Sequence, residues 1–176
     1  VSKLLINSEL RMCQLLKNLP TGALARLINI IQAVHFGKGE FMAKEREVGG
    51  AMCVLRSGKA LYQCKVEGTL NGYGEKELLT GDSFGEEIVM GYEETFMYTV
   101  IALVDVEAVV IEESLFLPLF WTLPSVVKQI QDNFLRIGKP DNEDDEDMGT
   151  ADGPAPRGRA SMVKGTGTIP MGFPDA

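Results

Sequence analysis

Apolar and polar positions along the chain change their period twice, from helical to strand-like and back. Residues 7–18 and 21–31 place apolar side chains three or four positions apart, which predicts two amphipathic helices separated by Leu19-Pro20. Asn7 or Ser8 is expected to cap the first helix, and Thr21 the second. After residue 32, short segments rich in β-branched and aromatic residues alternate with glycine turns. The predicted strands are residues 33–36, 40–44, 51–57, 59–66, 76–80, 95–102 and 106–112.

The helical period returns after residue 112. Residues 114–123 predict one apolar helix, and Pro124 is suited to the first turn of a second helix that runs to about Ile137. The order helix, helix, strands, helix, helix predicts an α+β fold that is mainly β: a small antiparallel β-sandwich or jelly roll flanked by N- and C-terminal helices. The segments are an N-terminal helical segment (1–32), a β-roll (33–112), C-terminal helices (113–138) and a tail (139–176).

The tail has a composition of its own. It carries an acidic run at 143–147, followed by many Gly, Pro, Ala, Ser and Thr residues. Such a composition predicts disorder, and the acidic run is interpreted as a solubilising stretch. Arg157-Gly158-Arg159-Ala160-Ser161 resembles a basophilic kinase target, so Ser161 is a candidate phosphorylation site.

Charge and hydropathy argue against two kinds of partner. The net charge of −8 and a pI of about 4.7 speak against nucleic acid and anionic membrane surfaces. No run of 18 apolar residues is present, so direct membrane insertion is not expected, although the domain is compatible with a membrane-protein assembly.

Cysteine and histidine usage argues against metal centres and disulfides. The three cysteines are too few and too widely spaced for a disulfide framework or a zinc site, so they are expected to be reduced thiols in a cytoplasmic compartment. The single histidine, His35, is expected within a strand, and a histidine-based metal centre is not expected. No nucleophile elbow, P-loop or dinucleotide fingerprint occurs, so neither an enzyme nor a bound cofactor is predicted.

The strongest local motif is residues 81–88, Gly-Asp-Ser-Phe-Gly-Glu-Glu-Ile, which we call the cassette. Its pattern predicts a tight turn that opens a short helical turn between two strands. This geometry points backbone N–H groups at one place and suits an anion. Gly85 would let the backbone approach a ligand, and the N–H groups of Glu87 and Ile88 are expected to face it.

The element order and four motifs together resemble the cyclic-nucleotide-binding domain family over residues 8–137. The motifs are QLLKNLP at 14–20, FGKGEFM at 36–42, MCVLRSG at 52–58 and LLTGDSFGE at 78–86. The resemblance implies cAMP or cGMP as the candidate ligand and a hydrogen bond from the ribose 2′-hydroxyl to Glu86. The implied ligand-binding residues are Phe84, Gly85, Glu86, Glu87, Ile88, Phe96, Met97 and Tyr98.

The chain departs from this family where the phosphate would be neutralised. The family has an arginine in a pattern like R-[TSA]-A-[TS]-V, and aligning Thr99-Val100 with the end of that pattern places Phe96 at the arginine. No Arg or Lys lies between Lys76 and Lys128. A charge-assisted contact contributes roughly 1.5–3 kcal/mol, so its loss predicts about ten- to a hundred-fold weaker binding. Met97 and Tyr98 replace small residues, and Met97 leaves the preference between cAMP and cGMP open.

A second departure is Arg46, which stands between two glutamates where the family usually has glycine. Arg46 must adopt the glycine turn at some cost, unless the turn itself differs. Its side chain is interpreted as solvated at the surface; a speculative alternative is that it supplies the missing positive charge.

Two functions stay open. The first is a regulatory or interaction module with weak or no nucleotide binding, which works with a protein partner or another domain of its parent chain. The second is a cAMP or cGMP sensor that controls a channel, exchanger or kinase through its C-terminal helix, near residues 127–135. Phe96 distinguishes the two, because an inward, packed ring favours the first and an outward ring beside an empty pocket favours the second.

Overall fold

The computed structural model describes residues 3–66 and 73–137. The predicted tail, with Ser161, lies outside the described residues. Within them, the predicted α+β fold, mainly β and antiparallel, is confirmed. No helix in this part of the chain is long and apolar enough to cross a membrane.

The first N-terminal helix begins and ends earlier than the sequence predicts, and the second ends earlier. Helix α1 spans Lys3–Met12, a 3₁₀ helix spans Gln14–Leu16, and α2 spans Thr21–Ile28. A single helix over 7–18 is wrong because the backbone is extended at Cys13, which breaks the helical path and lets Leu15 and Leu16 become buried. Asn7 and Ser8 therefore lie inside α1. Thr21 is the first residue of α2, after Pro20 at the N-cap position, and no side chain caps that helix.

Within the described residues, eight antiparallel strands form two four-stranded sheets. The first sheet has the order β1-β8-β3-β6 and the second the order β2-β7-β4-β5. The sequence does not predict β6, because a strand of two residues within the cassette has no alternating pattern. Among the described strands it pairs with β3. The strands are β1 (Gln32–Phe36), β2 (Phe41–Ala43), β3 (Ala51–Ser57), β4 (Ala60–Lys65), β5 (Tyr73–Leu78), β6 (Ser83–Phe84), β7 (Tyr98–Ala102) and β8 (Val106–Glu112).

The two central strands of the first sheet, β3 and β8, are apolar on both faces, because they separate two cores. On β8, Ala108 points between the two sheets, whereas Val109 and Ile111 point toward the helices. The helix-side core also contains Leu10 of α1 and Ile130 of the C-terminal helix. A strand that is covered on both sides explains the nearly continuous apolar sequence from Val106 to Ile111.

The C-terminal region contains two short turns and one longer helix. Helix α4 spans Glu113–Phe116, a 3₁₀ helix spans Pro118–Phe120, and α5 spans Pro124–Arg136. A single helix over 114–123 is wrong, because Pro118 has no N–H to continue the α-helical pattern. The predicted position of Pro124 in the first turn of α5 is confirmed.

The cysteines and the histidine occupy ordinary structural positions. Cys13 and Cys53 are buried, and this burial raises the pKa of the two thiols to about 11 and about 12. Cys64 is half-buried, and all three are free. His35 lies in β1, as predicted, with its Nδ1 atom 2.7 Å from the Glu107 carboxylate on β8, which raises the pKa of the imidazole.

Arg46 adopts the left-handed turn that its position predicts. Its φ is +69°, and its N–H donates to the Phe96 carbonyl at 2.8 Å. The side chain is 81% exposed, with its Nε atom 3.9 Å from Glu45 Oε1. The interpretation of Arg46 as a surface side chain is therefore supported, while its backbone helps to fix Phe96.

We expect Arg46→Gly to be about 1 kcal/mol more stable than Arg46→Ala, because only glycine relieves the left-handed strain. Both changes remove the same exposed side chain, so their difference isolates the backbone contribution. Urea unfolding of the two variants measures this difference. Equal midpoints and slopes would show that the turn stores no strain at this position.

Candidate functional site

The cassette turns because Gly85 is left-handed and wedged against strand β3. Its φ is +88°, and a Cβ atom placed there would lie 2.6 Å from the Ala51 carbonyl oxygen and 2.9 Å from the Met52 Cα atom. The sequence predicts that this glycine brings the backbone close to a ligand. In the fold it brings the backbone close to β3, and helix α3 (Glu86–Val89) begins from that contact.

Backbone N–H groups of the cassette already have acceptors inside the protein. The Ile88 N–H donates to the Gly85 carbonyl at 3.1 Å, within the turn itself. The Gly85 N–H donates to the Tyr98 hydroxyl oxygen at 2.7 Å. Of the two donors that the sequence predicts to face an anion, those of Glu87 and Ile88, the Ile88 N–H is thus used within the turn, and the neighbouring Gly85 N–H is taken by a side chain.

The Tyr98 hydroxyl is held between a donor and an acceptor. It accepts from Gly85 and donates its own proton to Glu87 Oε1 at 2.6 Å. Burial, reinforced by the nearby Glu87 carboxylate, raises the pKa of Tyr98 well above its ordinary value. The phenol therefore stays protonated, and we call this arrangement of Gly85, Tyr98 and Glu87 the tyrosine plug.

Two aromatic rings, those of Phe84 and Phe96, pack beside the tyrosine plug. Phe96 is 9% exposed, and its ring centroid lies 6.4 Å from that of Phe84 and 5.7 Å from that of Tyr98. Phe84 meets Tyr98 edge-to-face at 6.4 Å. Edge-to-face and tilted rings at these separations are favourable aromatic contacts. Phe96, at the position aligned with the family arginine, is therefore inward and packed.

The remaining predicted site residues divide between surface and core. The Met97 side chain is 61% exposed, whereas the Ile88 side chain is fully buried. An alanine-like Cβ at Gly49 would lie 2.7 Å from Ile88 side-chain atoms, which shows how tightly that side chain is packed.

Glu86, the residue expected to contact a ribose, is turned into the protein. It is 9% exposed, and its carboxylate accepts a short hydrogen bond from the Ser83 hydroxyl. Burial raises the pKa of Glu86, because desolvation penalises its charged form. The Cys13 thiol in turn donates to Ser83 Oγ at 3.4 Å.

The chain of Cys13, Ser83 and Glu86 was not predicted from the sequence. Cys13 precedes Ser83 by 70 residues, so no local pattern indicates that the two side chains meet. The hydroxyl role of Tyr98 was also missed, because the sequence indicates only that a bulky side chain replaces a small one.

One cation lies near these groups. Lys76 on β5 is paired with Tyr62 on β4, and Tyr62 is paired with the buried Val100 on β7. Residues directly opposite one another in antiparallel strands share a face, so Lys76 stands on the side of the second sheet that faces the core. Its Nζ atom lies 4.8 Å from the Tyr62 ring centroid, and the Tyr62 ring lies 4.5 Å from Tyr98.

Comparison with known proteins gives a family match. The family model described as the cyclic nucleotide-binding domain matches residues 33–121. cGMP-dependent protein kinase 2 of Homo sapiens is 27% identical to this chain over 134 residues, covering 76% of this chain and 18% of the kinase. The kinase of the same name from Mus musculus gives the same identity and coverage. The chain thus spans less than a fifth of the length of these relatives.

Solved structures share the fold. The N-terminal domain of a transcriptional regulator from Streptomyces coelicolor has a TM-score of 0.62 at 18% identity, covering 73% of this chain and 88% of that one. Thermus thermophilus catabolite activator protein gives 0.58 at 20% identity, covering 70% and 57%. The regulatory domain of Toxoplasma gondii PKA with cAMP gives 0.59 at 19% identity, covering 74% and 49%.

We expect Tyr98→Phe to lower the free energy of unfolding by about 1–3 kcal/mol, because the buried Gly85 N–H loses its acceptor and Glu87 loses a donor. Tyr62→Phe is the matched control, since the Tyr62 hydroxyl has no hydrogen bond among the described residues. Urea unfolding of both variants gives the comparison. Equal losses in the two variants would mean that the tyrosine plug does not stabilise the fold.

We expect Glu86→Gln to be more stable than the unchanged protein at pH 7. The folded state raises the pKa of Glu86 above 4.5, so its contribution to stability is complete below pH 4.5 and is lost as the pH rises through the folded pKa. The advantage of Gln should therefore vanish at acidic pH. Urea unfolding across a pH series tests this, with the exposed Glu93→Gln as control; an advantage that grows on acidification would contradict it.

Proposed function

This chain belongs to the cyclic nucleotide-binding domain family, and we propose that it is a regulatory or interaction module whose cassette is occupied by its own Tyr98 in place of a nucleotide. The main support for this proposal is the 2.7 Å hydrogen bond from the Gly85 N–H to the Tyr98 hydroxyl. An anion that used this donor would first have to displace a buried phenol from both Gly85 and Glu87.

Electrostatics support weak or absent nucleotide binding. Glu86 and Glu87 stand at the start of α3, and Glu93 and Glu94 follow a few residues later on the surface. Phe96 contributes an apolar ring where the family pattern has a guanidinium. A phosphate brought to the cassette would thus meet carboxylates without the charge-assisted partner that contributes roughly 1.5–3 kcal/mol.

A module of this kind acts by presenting a surface to a protein partner or to another domain of its parent chain. The similar proteins include a cGMP-dependent protein kinase, the regulatory domain of a PKA and the N-terminal domain of a transcriptional regulator. These names support a regulatory role without catalysis by the domain itself, and they leave the partner to be identified.

A second candidate is a nucleotide sensor, and Lys76 is the observation that favours it. Lys76 is exposed on the edge strand β5, and its Nζ atom lies 4.8 Å from the ring centroid of Tyr62. If Tyr98 moved out of the cassette, a phosphate could take its place and be attracted by the Lys76 ammonium group. In that case Lys76 would replace the missing arginine as the anion's partner.

We expect no saturable heat when the full 176-residue chain is titrated calorimetrically with cAMP or cGMP up to millimolar concentration. The tyrosine plug and the missing cation both oppose binding. Saturable heat that Lys76→Gln abolishes would overturn the proposal and establish the sensor. Saturable heat that Glu86→Ala abolishes while Lys76→Gln retains it would overturn it as well and assign binding to the ribose contact.

The double variant Phe96→Arg/Tyr98→Ala provides the converse test. It restores the family's arginine and small residue, and removes the phenol from Gly85. We expect this variant to bind a cyclic nucleotide at least about tenfold more tightly than either single variant, given the strength of a charge-assisted contact. Circular dichroism checks that each variant folds, and a folded double variant without binding would show that the two positions do not explain the loss.

A further inference from the structure

Helix α5 is attached to the N-terminal helices by one buried polar side chain. Asn133 is 6% exposed, and its Nδ2 group donates to the Leu15 carbonyl at 2.9 Å and to the Lys17 carbonyl at 2.7 Å. Its Oδ1 atom accepts from Gln129 Nε2 at 2.9 Å. Both amide hydrogens and the amide oxygen are therefore used.

The two carbonyls lie at the end of the 3₁₀ helix Gln14–Leu16, where the backbone leaves helical geometry. Carbonyls at such an end have no partner within the helix and need an external donor. Asn133 supplies both donors from a helix more than a hundred residues away in sequence. An apolar side chain at this position would leave two polar groups unpaired in the helix-side core.

The same 3₁₀ helix is tied to the cassette at its other end. Cys13 immediately precedes it, accepts the Leu16 N–H through its carbonyl, and donates its thiol proton to Ser83, which bonds Glu86. The cassette and α5 are therefore hydrogen-bonded to opposite ends of one short helix. No bound ligand is needed to complete this connection.

We propose that Asn133 is a latch that holds α5 docked on the N-terminal helices in the absence of any ligand. The latch deepens the proposed function and rests on it, because a module with an occupied cassette needs another means of fixing the helix that it presents. Asn133 acts here as a positioning residue. Its effect is on the docking of α5 and leaves the packing between the two sheets unchanged.

Hydrogen exchange of the full chain, followed by mass spectrometry, tests the latch. Asn133→Asp preserves the shape of the side chain but places a carboxylate against two carbonyl oxygens, and Asn133→Ala removes the whole amide, both the two donors and the Oδ1 acceptor. We expect exchange over residues 14–17 and 124–136 to accelerate about tenfold or more in both variants, with the larger effect in Asp. Exchange over β3 and β8 should be unchanged.

The control is Gln131→Ala, an exposed position on the same helix, which should exchange like the unchanged protein. Equal acceleration in α5, β3 and β8 would overturn the latch, since Asn133 would then stabilise the whole fold alike. Unchanged exchange in α5 would overturn it too. If Asn133→Asp does not fold, the same comparison is made with Asn133→Ala and with Gln129→Ala, which removes only the bond to Oδ1.

The latch and the proposed function can fail separately. Adding millimolar cGMP to the unchanged protein during the exchange experiment tests the occupied cassette. New protection of the cassette by cGMP would contradict the proposed function, while the effect of the Asn133 variants on α5 would still decide the latch.

Discussion

The contact between Gly85 and strand β3 is the constraint on which the site depends. With φ at +88° and room for no Cβ beside Ala51, the chain has to turn at this residue. The turn sets the direction of α3 and places the Gly85 N–H opposite β7. A backbone donor fixed in this way must find an acceptor, and the acceptor within reach is the Tyr98 hydroxyl at 2.7 Å. The tyrosine plug is thus a consequence of a turn that the fold requires.

The packing of Phe96 and the packing of Tyr98 depend on each other. The buried Tyr98 ring between Gly85 and Glu87 needs apolar neighbours. The ring centroids of Phe84 and Phe96 lie 6.4 Å and 5.7 Å from that of Tyr98. A guanidinium in place of the Phe96 ring would be desolvated beside these aromatic side chains, with Glu87 already occupied by the tyrosine proton. Loss of the arginine and gain of the tyrosine are therefore coupled physically. An apolar residue at position 96 lowers the free-energy cost of burying Tyr98, and the buried tyrosine raises the cost of keeping an arginine there.

The fold and the site differ in how far the sequence predicts them. Periodicity identified the long β8 strand and the restart of α5 at Pro124, because those patterns are local. It failed for the two-residue strand β6 and for the end of α1 at Met12, which tertiary packing decides. The site was harder, since a Tyr98 hydroxyl can point to water, to backbone or to a carboxylate. Nothing in its neighbours along the chain distinguishes these outcomes.

A second connection to α5 does not use the 3₁₀ helix and comes from Tyr92, four residues beyond the cassette. Tyr92, just beyond α3, stacks on Phe134 of α5 with centroids 4.8 Å apart and planes 4° from parallel. Phe134 is adjacent to Asn133, so an aromatic contact and a polar contact hold the same turn of α5 from two sides. Tyr92 is 59% exposed, whereas the Asn133 side chain is buried. Moving α5 away would expose Asn133 together with Val126 and Ile130, which pack in one core with the N-terminal helices, so the buried contacts outweigh the surface stack in setting the position of α5.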